Sequence, residues 1–94
     1  SMDSLELIGM ISIIMAGATV GIGAPITAIG EGWAVSRAMG ALAQQPDAAP
    51  VISRTLFIGL AMTESSAIYC FVVSMILIFA NPFWNHFAGL AGAQ

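Results

Sequence analysis

The chain has 94 residues, 59% of them hydrophobic and only 7% charged, with two basic and five acidic side chains. A soluble domain carries about 25% charged residues, so this composition describes one small membrane domain. The formal charge of −3 and the absence of any basic surface exclude a nucleic-acid binder, and the single Cys70 excludes an intramolecular disulfide or a thiolate metal site.

In chain order, the first element is a long apolar, glycine-rich stretch over residues 5–43. About 20 helical residues cross a hydrocarbon core of ~30 Å, so the stretch predicts a helix that spans and then protrudes. It is too long for a signal-peptide core and has no basic segment before it, so it is expected to be retained. Gly17, Gly21, Ala24, Ala28 and Gly32 recur at spacings of four, three, four and four. Gly23, Thr27, Gly30 and Ala34 form a second small row beside them. Small residues let membrane helices approach closely, and two rows require neighbours on more than one side. A hairpin partner supplies one. The other implies oligomerisation, and a repeated neighbour on both sides closes into a ring. The segment Gly21-Ile22-Gly23-Ala24-Pro25-Ile26 is no dinucleotide fingerprint, because it lacks the last glycine and follows no strand. Pro25 removes one helical hydrogen bond and is expected to bend the helix slightly.

Residues 44–50, "QQPDAAP", form a short polar turn with two prolines. Arg37 and Arg54 are the only basic residues, and both flank this turn. The positive-inside rule then sets the turn in the cytoplasm and both termini outside. Residues 51–84 are the second apolar stretch, ended by "NPFWNHF", with 85–94 read as a short tail. The architecture expected is an all-α, membrane-spanning hairpin. Trp84 and His86 suit an interfacial belt, and His86 has no partner for a metal. Cys70 reads as a small packed side chain.

Glu64 is the only charged residue between Leu56 and Ala80. An acidic residue at the centre of a membrane helix lies about 2.5–3.5 kcal/mol uphill, so it needs a reason. Glu31 and Glu64 have their midpoint at position 47.5, inside the turn, so an antiparallel hairpin brings them to one height. That height is about 16 residues, or ~25 Å, from the apex, the expected middle of the membrane. Two ionised carboxylates cannot share a low-dielectric site, so one holds a proton or a cation lies between them. Met62, Ser65, Ser66 and Tyr69 cluster on one side of the second helix with Glu64 at the edge. Hydroxyl and carboxylate oxygens without His or Cys suit a hard alkali cation. The plainer alternative is that the serines merely bond the carbonyls four residues back.

These features together resemble the c subunit, or proteolipid, of rotary F-type and N-type ATP synthases over essentially the whole chain. The resemblance is carried by "GATVGIG…GEGWA", "AQQPDAA" and "TESSAIYCFVVSMILIFANPF". The last segment is similar to the sodium-binding version of the family. The resemblance implies a ring of identical hairpins in a bacterial or archaeal plasma membrane, first helix inside and second outside. It implies a stator a subunit as partner, and central-stalk subunits of the catalytic head meeting the loop at Gln44, Gln45, Pro46 and Asp47. By position it implies Na⁺ held by Glu64, Glu31, Ser65 and the Met62 carbonyl, with Ser66 holding a water and Tyr69 donating to Glu64. Some ligands would come from the adjacent hairpin. Sodium-type members often carry glutamine where this chain has Glu31, and the loop motif is usually Arg-Gln-Pro where this chain has Gln44.

The expected function is a rotor subunit that carries a coupling cation, Na⁺ first and H⁺ as the alternative, with no organic cofactor. A small multidrug exporter or passive pore is the rival from another class, but glycine, alanine and serine around the carboxylates leave no drug-sized pocket. No nucleophile–base pair is visible, so the chain is not expected to be an enzyme by itself.

Overall fold

The computed structural model describes residues 3–92, and these form one thin helical hairpin 72 Å long, 21 Å wide and 10 Å deep. Helix α1 runs Ser4–Gln44, a 3₁₀ turn covers Pro46–Ala48, α2 runs Ala49–Phe79 and α3 runs Pro82–Gly92. Both long helices follow from uninterrupted apolar sequence, and both are long and apolar enough to cross a membrane. Asp3 starts α1 by accepting the Glu6 N–H on its carboxylate at 2.8 Å, an N-cap worth about 1 kcal/mol. Pro25 sits inside α1, which continues through it.

At the other end of α1 the Gln45 N–H donates to the Ala41 carbonyl at 2.8 Å, and the Ala48 N–H to the Gln45 carbonyl at 3.0 Å. These two bonds reverse the chain at Pro46. Pro50 then falls in the first turn of α2, where its missing N–H removes no helical bond. Gln44, Gln45, Pro46 and Asp47 are all exposed at the tip of the hairpin.

The seam between α1 and α2 is built from small side chains. Ala16 and Ser74 are its most buried members, 2% and 3% exposed, and the Ser74 hydroxyl donates to the Ala16 carbonyl at 2.7 Å across the seam. Gly23 lies directly under Cys70, and Gly9 under the indole of Trp84. No large side chain is fully buried among the described residues, while Ile22, Ile26, Ile29, Trp33, Phe57 and Phe79 stand in the open. Such a surface needs lipid or further protein around it.

The sequence predicts a second helix running to residue 84 and a tail over 85–94. The structure instead ends α2 at Phe79 and starts α3 at Pro82. Residues 93 and 94 of that tail lie outside the described residues. The cause of the break is Asn81, whose Oδ1 accepts the Phe83 and Trp84 N–H groups at 2.9 and 3.1 Å. Asparagine as cap followed by proline at the first helical position is a helix-start signal, and here it starts a new helix rather than ending the last one. The same Asn81 donates from Nδ2 to the Ser12 hydroxyl at 2.6 Å, fastening the break to α1.

Candidate ion-binding site

Equal spacing from the turn determines which residues of α1 and α2 face each other. Sixteen to seventeen residues on either side of the apex, the seam brings the Glu31 and Glu64 carboxyls within hydrogen-bonding reach of one another. Glu31 Oε1 is shut off from solvent, and no N–H or O–H group among the described residues reaches it. Glu64 rises beside it from the exposed flank of α2. Two acceptors in contact repel unless a proton or a cation joins them, and a shared proton turns the contact into a short, strong O–H···O⁻ bond. A pair so placed is chemically able to take a proton or a cation between its oxygens. Among the described residues no three His, Cys, Asp or Glu side chains come together.

The other expected site residues divide into two groups. Ser65 stands one residue from Glu64, half-buried, and its hydroxyl donates to the Ala61 carbonyl at 3.1 Å. Its proton is used, yet its lone pairs remain free to accept. Met62, Ser66 and Tyr69 are exposed. The Tyr69 hydroxyl makes no hydrogen bond to Glu64 within the single hairpin, so the lid expected of it is not assembled here. Below the pair, Thr27 and Thr63 bond the carbonyls four residues back, at 3.0 and 2.8 Å, and so satisfy themselves within their own helices.

The two small rows of α1 also separate. Gly23 lies on the seam against Cys70, Thr27 and Gly30 are half-buried, and Ala34 is exposed. A side chain added at Gly17, Gly21 or Gly32 would meet nothing within 4 Å, and Ala28 is equally open. That row is left without a neighbour by the hairpin. On the opposite flank Ile22, Ile26, Ile29 and Trp33 form an exposed stripe of large side chains, and Arg37 lies over the Trp33 ring at 5.4 Å.

Sequence reasoning missed two contacts that hold the site's register: Ser74 to Ala16 and Asn81 to Ser12. Ser74 lies in an apolar run with nothing to distinguish it from a self-bonded serine. Asn81 does carry a signal, the Asn-Pro pair.

A membrane-spanning helical hairpin with a carboxyl pair on its seam defines a class of ion-translocating membrane subunit. Comparison with known proteins makes this specific. The sequence model described as the ATP synthase C subunit matches residues 14–77, and the chain belongs to that family. It is 55% identical over 78 residues to the ATP synthase c subunit numbered 2 of Cereibacter sphaeroides, covering 83% of this chain and 94% of that one. It is also 55% identical over 71 residues to the ATP synthase c subunit numbered 1 of Syntrophotalea carbinolica, covering 76% and 81%. The chloroplastic ATP synthase c subunit of Galdieria sulphuraria is 44% identical over 84 residues, 89% of this chain and 99% of its own length. The chain is thus a non-catalytic membrane subunit of the ATP synthase type, and the exporter and pore readings fall away.

Proposed function

We propose that the chain is the rotor-ring subunit of a rotary ATP synthase and that Glu64, paired with Glu31, carries protons across the membrane. The observation that carries this reading is the contact between the two carboxyls. Fully ionised, the pair holds two negative charges, and neither lipid nor a Gly/Ala seam can solvate them. One proton shared by Glu31 and Glu64 stays with the pair. A second, loaded onto Glu64, makes it neutral and lets the hairpin face lipid. Meeting a fixed cation on the stator a subunit, Glu64 gives that second proton up to the other side. Each crossing gains about 2.3 kcal/mol per 100 mV, far below the energy of ATP synthesis in the cell, so several crossings must be summed by rotation.

A ring of identical hairpins is supported by the two unused flanks of α1. Large side chains at Ile22, Ile26, Ile29 and Trp33 on one hairpin fit the open row of Gly17, Gly21, Ala28 and Gly32 on the next. A contact between unlike faces repeats in one direction and closes if the rotation allows. The exposed tip, Gln44 to Asp47, then faces the central stalk in the cytoplasm of a bacterial or archaeal cell.

Sodium is the second reading, and the oxygen-rich flank favours it. A neighbouring hairpin could complete a site from Glu64, Glu31, the Ser65 hydroxyl, the Met62 carbonyl, a water on Ser66 and a Tyr69 hydroxyl bonded to Glu64. ATP-driven proton uptake by the assembled enzyme in Na⁺-free vesicles separates the two. The proton reading expects full uptake, abolished by Glu64→Gln with the ring still assembled. Uptake that requires Na⁺, or that survives Glu64→Gln, overturns it.

A further inference from the structure

A lipid tail is as apolar as a leucine side chain, so membrane helices gain little by excluding lipid and associate through the fit of their surfaces. The loop-facing half of the hairpin offers one such fit. An open groove of about 420 Å³ runs along α2 past Thr55, Leu56, Gly59 and Thr63, with Ala34 and Ala38 of α1 as its other wall. It is deepest in side-chain terms at Gly59, where an added side chain would meet nothing within 4 Å. Apart from two threonine hydroxyls, one of them already donating to the Gly59 carbonyl at 2.8 Å, the lining is apolar. The α2 residues along it run from Val51 to Thr63, so its middle is level with position 57. That position holds Phe57, which is 70% exposed.

Phe57 faces away from the groove of its own hairpin. Leu56 and Leu60 turn, half-buried, toward α1. Thr55, Gly59 and Thr63, one turn apart, pass on one side of these leucines, and Phe57 and Glu64, two turns apart, pass on the other. Glu64 meets Glu31, which stands one turn from Ala28 of the open row and across α1 from Ile29 and Trp33. The open row, the carboxyl pair and Phe57 therefore share one flank. The groove shares the other with the stripe from Ile22 to Trp33.

We infer that Phe57 of each hairpin is seated in the groove of the next, against Gly59 and between the walls formed by Thr55, Thr63, Ala34 and Ala38. This rests on the ring reading above and is independent of the cation carried. Copies in a ring stand at one height, so the contact that fits the large stripe to the open row also brings Phe57 level with the groove. Phe57 lies ~10 Å from Glu64 along α2, so the seat closes the gap between neighbouring hairpins on the loop side of the carboxyl pair.

Dissociation of the full-length ring in rising detergent, read by native electrophoresis, tests the seat. Ile58, midway between Leu56 and Leu60, stands on the far side of α2 from α1 and is the matched control. In detergent that leaves most of the parent ring intact, Phe57→Ala should release about tenfold more free hairpin, and Ile58→Ala no more than the parent. Gly59→Leu fills the groove from within and should weaken the ring while the hairpin stays helical by circular dichroism. Combined with Phe57→Ala, its leucine takes the vacated seat, so the double variant should hold together better than Gly59→Leu alone. In a Cys70→Ala background, Phe57→Cys with Gly59→Cys should be joined into dimers and higher multiples by a thiol reagent too short to pass round one helix. Rings that tolerate Phe57→Ala and Gly59→Leu like the parent, or a reagent that joins no hairpins, overturn the inference and leave the groove to a lipid acyl chain. A parent chain that migrates as a single hairpin overturns the ring reading itself, and this inference with it.

Discussion

Gly23→Ala is expected to weaken the hairpin at one defined point. A methyl group on Gly23 would stand 2.5 Å from the Cys70 Sγ and 3.2 Å from its Cβ. Carbon atoms in good contact sit about 3.5–4.0 Å apart, so the closer overlap is about 1 Å. Turning the thiol relieves that contact but not the one with Cβ, which belongs to the α2 backbone's own position. Overpacking of this kind costs about 1–3 kcal/mol, and the better helix propensity of alanine returns up to about 1. The net loss expected is about 1–2 kcal/mol. Adding Cys70→Ala removes the closer contact and leaves the one with Cβ, so it should restore part of the loss, a coupling of up to about 1 kcal/mol in a double-mutant cycle. Unfolding of the single hairpin in mixed detergent micelles, followed by far-ultraviolet circular dichroism, reads all four proteins. Gly21→Ala, which meets nothing within 4 Å, is the control and should be no less stable than the parent, and up to about 1 kcal/mol more stable, while impairing ring assembly. A Gly23→Ala hairpin as stable as the parent, or additive effects in the cycle, would refute this packing.

Other substitutions probe the remaining contacts. Ser74→Ala removes the bond to the Ala16 carbonyl from a site 3% exposed, and should cost about 0.6–1.7 kcal/mol in the same unfolding assay, the range of membrane interhelical hydrogen bonds. Asn81→Ala deletes the cap of α3 and its tie to Ser12, so the Phe83 and Trp84 amides should exchange with deuterium markedly faster while those of mid-α2 do not change. Glu31→Gln replaces one carboxyl of the pair by an amide that donates to Glu64 without titrating. The ring should assemble, and the pH profile of Glu64 reactivity should collapse from a coupled to a single-site form.

How much of this is readable from sequence differs residue by residue. The meeting of Glu31 with Glu64 is legible because helical rise is constant and the turn has a sharp centre. The hairpin itself follows from two apolar runs separated by "QQPDAA". Which of the two glycine rows packs against α2 is not legible, since both are equally small. The choice is made by Cys70, Ser74 and Trp84, whose partners at Gly23, Ala16 and Gly9 depend on the relative rotation of two helices. The start of α3 is written in Asn81-Pro82, but the same pair also ends helices, and only the capping bonds decide. Tyr69 shows the opposite limit. Its place in the sequence fits a lid over Glu64, yet one hairpin holds it exposed.

The central claim is that Glu64 carries a proton, and carbodiimide labelling of the assembled ring tests it most directly. The reagent attacks only a protonated carboxyl, so mass spectrometry of the labelled chain reports which carboxyl is occupied and by what. The account predicts modification at Glu64 that declines as pH rises and is unchanged by NaCl at every pH. Protection of Glu64 by millimolar Na⁺, deepening as pH rises, would make sodium the cargo, and a label on any other carboxyl in place of Glu64 would remove it from the carrier role.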